Sequence, residues 1–128
     1  MALFSKARVG LLVALLAISL VLTVQVAARS EHVLASYYGE GFAGKPTASG
    51  EPYDPKGYTA AHPRLPFGTR LVVSYEGRSV IVTVNDRMPS GSDRDLDLSL
   101  AAAQYLGLTN AGTAVVDAEV LEPRSSST

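Results

Sequence analysis

The stretch TRLVVSYEGRSVIVTVNDRMPSG, Thr69 to Gly91, holds the clearest structural signal in the chain. Two runs rich in β-formers, Thr69–Tyr75 and Arg78–Val84, flank Glu76-Gly77. A two-residue link ending in glycine between such runs predicts a β-hairpin with a tight turn. Side chains alternate along a strand, so Leu71, Val73 and Tyr75 share one face, and Val80, Val82 and Val84 share a face of the partner. The second run ends abruptly: Asn85, Asp86 and Arg87 follow the valines with no loop between, and Pro89 closes the run. A carboxyl at the end of a core strand is expected at the rim of the fold, half in the apolar interior. Desolvation favours the protonated form of a carboxyl, as a general acid requires, whereas an arginine partner favours the ionised form. The sequence leaves these two effects open, beside the plainer reading of Asp86 as a turn former.

Outward from the hairpin, the chain divides unevenly. Residues 1–28 read as a targeting segment: Lys6 and Arg8, then an uncharged apolar run from Val9, then small residues Val26 and Ala28. Basic start, apolar middle and small-residue exit define a secretory signal. The apolar run of about 20 residues is also long enough to span a bilayer as an uncleaved N-terminal anchor helix. Either way the remainder is expected outside the cytoplasm, because the basic residues precede the apolar run. Residues 29–32 read as a linker, 33–122 as one domain and 123–128 as a disordered tail. Without Lys6 and Arg8, nine Lys/Arg face twelve Asp/Glu. No basic stripe points to nucleic acid. The chain has no cysteine, which excludes a thiol nucleophile, a cysteine metal site, a disulfide framework and lipid attachment through cysteine.

Within the domain, Val33–Gly39 and Tyr58–His62 read as strands. Gly39–Gly57, with five glycines and three prolines, reads as a long loop, a length usually tied to function or disorder. "PSGSDRD" reads as a loop. "LSLAAAQYLG" reads as a short helix with Ser99 as N-cap and Gly107 as stop. A last strand carries Val116, Ala118 and Val120 on one face. Five to six short strands, one helix and Gly/Pro-rich loops favour a mainly β, small closed barrel, which leaves no free strand edge.

No nucleophile elbow, phosphate-binding glycine motif or convergent metal ligand set is present in the sequence, and no metal or cofactor is expected. The polar candidates are Glu51, His62, Asp86, Arg87 and Asp97. Each has a plainer alternative: Glu51 as a solvated loop charge, His62 as a packing histidine, Asp95 and Asp97 as charges favouring the helix N-terminus. Tyr37, Tyr38 and Tyr53 are either packing residues or platforms for sugar rings.

Four segments in order, "ASYYGEGFAGKPTASGEPYD", "YTAAHPRLPFGTRLVV", "GRSVIVTVNDRMP" and "RDLDLSLAAAQYLGL", resemble the double-psi β-barrel domain of the rare lipoprotein A (RlpA) family of septal lytic transglycosylases. The resemblance covers Val33 to Leu121 and implies a six-stranded double-psi barrel with one or two short helices. It implies an exported, cell-envelope enzyme, expected as a monomer. Its partner would be peptidoglycan glycan strands, cut at the MurNAc–GlcNAc bond to leave 1,6-anhydro ends. Carried over by position, Asp86 matches the family's acid/base, His62 its active-site histidine and Glu51 an assisting acid. Tyr37, which stands where the family has tryptophan, and Tyr38, Tyr53, Thr59, Arg87 and Asp97 would bind substrate. The related alternative is a non-catalytic, expansin-like module that binds or loosens wall glycan. Met88 departs from the pattern, because the family usually has glycine there.

Overall fold

The computed structural model describes residues 30–89 and 91–121, so the targeting segment and the tail lie outside the described residues. The elements are β1 (Ser30–Tyr37), a 3-10 turn at Glu40–Phe42, β2 (Thr59–Ala61), β3 (Arg70–Tyr75), β4 (Arg78–Asp86), β5 (Leu96–Leu98), α1 (Leu100–Leu106) and β6 (Ala114–Leu121). β1 begins three residues before its expected start, so Ser30, Glu31 and His32 are strand rather than linker. His32 lies against Asp117 of β6. The six strands form a closed barrel in the order β1-β5-β2-β4-β3-β6.

The hairpin is built as its sequence predicts. β3 and β4 pair antiparallel from Arg70↔Thr83 to Tyr75↔Arg78. Glu76 and Gly77 both adopt positive φ, 46° and 82°. That is the geometry of a turn whose twist matches the flanking strands. β6 covers the other edge of β3, also antiparallel. The remaining pairs connect distant parts of the chain: β1 runs parallel to β5, β2 parallel to β4, and β2 antiparallel to β5.

The inner faces supply the core. Val73, Val82, Val84, Leu96 and Leu98 are fully buried, with Val116 from β6 and Leu106 and Leu108 from the helix and its exit. The helix is fixed at both ends. Ser99 Oγ accepts from the Ala102 amide and donates to the Gly57 carbonyl at 2.7 Å, tying the helix to the long loop. Gly107 stops the helix in the left-handed region at φ 76°, where a side chain would be strained.

One irregularity positions the site. Counting by two from Val82 and Val84 would put Asp86 on the core face. The β2–β4 register instead slips between Ala60↔Val84 and Ala61↔Asp86, leaving Asn85 as an extra residue. A one-residue slip exchanges the faces of a strand, and such bulges re-aim a side chain. Asp86 therefore joins a row with Ala61 of β2, Asp97 of β5 and Ser36 of β1. The neighbours Val84, Ala60, Leu98 and Ala35 belong to the core cluster, so this row faces the other side of the sheet.

Candidate active site

The row opens into a cavity of about 350 Å³. Tyr37, Tyr38 and Phe42 line it from the β1 side. Ala61, Asp86, Asp97, Arg87, Met88, Pro89 and Arg94 complete its lining.

Asp86 is the most constrained side chain there. Its Oδ1 accepts from the Ala48 and Arg87 amides, both at 2.9 Å. Its Oδ2 accepts from the Tyr38 hydroxyl at 2.6 Å. The Ala48 amide is delivered by the Thr47–Glu51 loop, which is built to hold one shape. Thr47 Oγ1 donates to the Glu51 carbonyl at 2.7 Å, and the Ser49 amide donates to the Asn85 carbonyl. The long Gly39–Gly57 segment is thus ordered, with a 3-10 turn and a Pro46↔Pro52 bridge inside it.

Arg87 does not turn to the carboxylate. Its guanidinium stacks on Phe67 at 4.2 Å and reaches the His62 and Asp86 carbonyls at 3.4 Å. A cation over an aromatic face keeps its charge available while its stem is fixed. Asp97 is anchored differently: Ser36 Oγ donates to its Oδ1 at 2.8 Å, and Arg94 Nη1 donates to Ser36 Oγ at 2.9 Å. Burial pushes the Asp97 carboxyl above its usual range, and the charge of Asp86 adds to this; the Ser36 hydrogen bond and Arg94 oppose it.

His62 follows β2, and its amide donates to the Asp86 carbonyl at 3.2 Å. Its Nδ1 accepts from the Arg64 and Leu65 amides at 3.1 and 3.0 Å, so the ring's donor is Nε2–H. Burial, then the charges of Arg64 and Arg87, lower its pKa and favour the neutral ring. His62 therefore supports Asp86 through the backbone, and its imidazole orders the turn that follows. Glu51 is exposed on the loop that covers Asp86. Neither His62 nor Glu51 is among the side chains that line the cavity.

The tyrosines divide. The Tyr37 ring lines the cavity while its hydroxyl donates to the Thr109 carbonyl. The expectation of Tyr53 as a sugar platform differs from what is found: it is 4 % exposed, packs 4.8 Å from the Tyr38 ring, and its oxygen accepts from the Leu100 amide. Thr59 also lies off the cavity, bound through its backbone to Ser99. Asp97 is a strand residue of β5 rather than a charge at the helix start. Missed from sequence were the Ala48 amide, Phe42, Phe67, Arg94 and Ser36. Of these, only the aromatics "F" of "GEGF" and "LPFG", set in polar and turn-rich segments, offered a signal.

A closed six-stranded barrel with two parallel pairs, β1–β5 and β2–β4, joined by antiparallel seams has the architecture of a double-psi β-barrel. Comparison with known proteins gives the family: the family model described as "Lytic transglycolase" matches residues 30–118, and the chain belongs to that family. Among curated relatives, the probable endolytic peptidoglycan transglycosylase RlpA of Nostoc sp. is 52% identical over 92 residues, covering 69% of this chain and 25% of the relative. The endolytic peptidoglycan transglycosylase RlpA of Pseudomonas aeruginosa is 52% identical over 91 residues, 70% of this chain and 27% of the relative. That of Neisseria meningitidis is 46% identical over 104 residues, 80% of this chain and 44% of the relative. The chain thus spans only 25% to 44% of these relatives. Among solved structures, a Streptomyces papain inhibitor superposes with a TM-score of 0.60 at 26% identity, covering 73% of this chain and 94% of the other. An expansin variant from Clavibacter michiganensis, in complex with cellohexaose, gives 0.61 at 21% identity, 77% and 54%, a likeness of fold alone.

Proposed function

We propose that this chain is a lytic transglycosylase of the cell envelope, cutting peptidoglycan glycan strands between MurNAc and GlcNAc. Residues 1–28 would export or anchor it, and the barrel would act as a monomer without metal or cofactor. The observation that carries the reading is Asp86, held by three donors in the lining of the cavity.

A hydrolytic glycosidase usually needs two carboxyl groups and a water. A transglycosylase can use one. Asp86 gives its proton to the departing glycosidic oxygen as the C1–O bond breaks. It then takes the proton of the sugar's own C6 hydroxyl as that oxygen bonds to C1, closing the 1,6-anhydro ring and returning Asp86 to its starting state. Arg87 and Arg94 face the same cavity and would meet anionic groups of the substrate, while the Tyr37 and Phe42 rings suit the apolar faces of pyranoses. Glu51 and the Nε2–H of His62 would meet sugar hydroxyls outside the cavity, and Asp97, whose Oδ1 is engaged by Ser36, would accept from one at its other oxygen.

The test is to incubate the protein with purified glycan strands and analyse the ends by mass spectrometry. Anhydro-ended fragments are expected. Binding without any such product would refute the enzyme and support an expansin-like binding module.

A further inference from the structure

The two oxygens of the Asp86 carboxyl are not equivalent. Oδ1 takes two backbone amides, from Ala48 and Arg87, and so has no lone pair to spare. Among the described residues, Oδ2 takes only the Tyr38 hydroxyl. A proton passing between Asp86 and a ligand in the cavity must therefore pass at Oδ2.

Tyr38 is itself held. Its ring lies 4.8 Å from Tyr53 and 6.0 Å from Phe42, in tilted contacts. Tyr53 is tied in turn to the first helical amide, Leu100. Rings packed on two sides leave the Tyr38 hydroxyl little freedom except rotation of its own hydrogen. We propose that Tyr38 is a positioning residue that selects Oδ2 as the reacting oxygen of Asp86 and sets how firmly that oxygen holds a proton.

This deepens, and rests on, the transglycosylase reading. As the Oδ2 proton moves to the glycosidic oxygen, negative charge grows on the carboxylate and the 2.6 Å hydrogen bond from Tyr38 strengthens. The bond relaxes when Oδ2 takes the C6 hydroxyl proton. Measured from the protonated form of Asp86 that begins and ends the cycle, the stabilisation is thus larger in the transition state, which is what lowers a barrier. Tyr38 does not give up its own proton. Burial raises its pKa well above the ordinary phenol value, and the Asp86 hydrogen bond and charge raise it further. The other titratable or charged groups around Asp86 and Tyr38 are Asp97 of β5, Arg94 before it, Arg87 next in the chain, His62 after β2, Glu51 on the covering loop and Tyr53 against the Tyr38 ring.

The experiment is a carbon-detected NMR titration of the Asp86 carboxyl in the full chain, for the wild type and Tyr38→Phe. The variant keeps the ring contacts. Loss of a donor to the ionised form should raise proton affinity about tenfold, moving the midpoint up by about one pH unit. In wild type, the Tyr38 ring signals should also follow the Asp86 titration, a readout that does not need the variant to fold. On the activity side, the limb on which anhydro-product formation falls with rising pH should move up equally in Tyr38→Phe, with kcat lowered and KM little changed. An unmoved midpoint, or Tyr38 signals blind to Asp86, overturns the proposal even if the wild type cleaves glycan. A moved midpoint in a protein that cleaves nothing supports the Tyr38–Asp86 coupling and refutes the transglycosylase reading instead.

Discussion

Replacing Asp86 by asparagine should separate the fold from the chemistry. The amide oxygen can stand where Oδ1 stands and still accept from Ala48 and Arg87. The amide nitrogen then faces Tyr38, whose hydroxyl can turn from donor to acceptor. All three contacts survive without charge assistance. Hydrogen bonds to a charged group are worth about 1.5–3 kcal/mol, against about 0.5–1.5 for neutral ones. Because these bonds are exposed or part-buried, solvent screens much of the charge assistance, and losing it at all three, partly offset by the removed repulsion with Asp97, should cost about 1–2 kcal/mol in total. That corresponds to a fall in Tm of about 5–10 °C for a domain of this size. Asp86→Ala abandons all three donors and should cost about 2–4 kcal/mol. Loss of a general acid/base removes roughly 10²–10⁴-fold in rate in either variant. Thermal unfolding by circular dichroism and anhydro-end counting by mass spectrometry measure the two quantities independently. Asparagine should thus be more stable than alanine, though below wild type, and as inactive as alanine. Retention of more than about a tenth of the activity by Asp86→Asn would refute the assignment of the acid.

Three further outcomes are expected. The Asp97 carboxyl is raised in the folded state above its ordinary 3.8, chiefly by burial, so its ionisation opposes folding. Asp97→Asn should therefore be more stable than wild type at pH 7, and the gap should close as the pH falls toward 3.8 and below, followed by urea midpoints across that range. His62 has the opposite sign: its folded pKa lies below the ordinary 6.5, so its contribution is present above pH 6.5 and is lost as pH falls through the folded value. His62→Ala should cost about 1–3 kcal/mol at pH 7.5, from two amides left without an acceptor, and should show a flatter stability profile on the acid side. Leu98→Ala, at a position with 0 % exposure on the short strand β5, should cost about 2–5 kcal/mol in denaturant unfolding.

What could be read from the sequence was what local chemistry encodes. The hairpin was legible because Glu76-Gly77 is a turn signal between alternating runs, and the helix because Ser99 and Gly107 mark its ends. β5 was not, because three residues are too few to show a period, and its partners Ala35 and Ala60 lie far away in sequence. Asp86 was visible as a polar intrusion after valines. Its direction was not, since alternation alone points it to the core side, and only the slip at Asn85 turns it outward. The donors on its carboxylate were hidden for a different reason. Every residue has an amide, so nothing in Ala48 marks it as the one that reaches Asp86, and the Tyr38 contact spans 48 residues. Met88, the departure from the family pattern, proves to be 8 % exposed and part of the cavity wall, so its longer side chain shapes the space beside Asp86.

The strand order also governs how the chain reaches this state. The hairpin β3–β4 can form early, because its pairing is local. Every other seam waits on distant partners: β1 on β5 near residue 96, and β3 on β6, whose last paired residue is Leu121. Loop-closure entropy is lost before such contacts return any stabilisation, and chains dominated by them refold in milliseconds to seconds rather than microseconds. The row that carries Ser36, Asp97, Ala61 and Asp86 draws on four strands, so it exists only once those seams have closed. A nascent or truncated chain lacking β6 would hold a hairpin but leave one edge of β3 uncovered. Competence to bind in the cavity should therefore arise late and all at once, in the final step of folding.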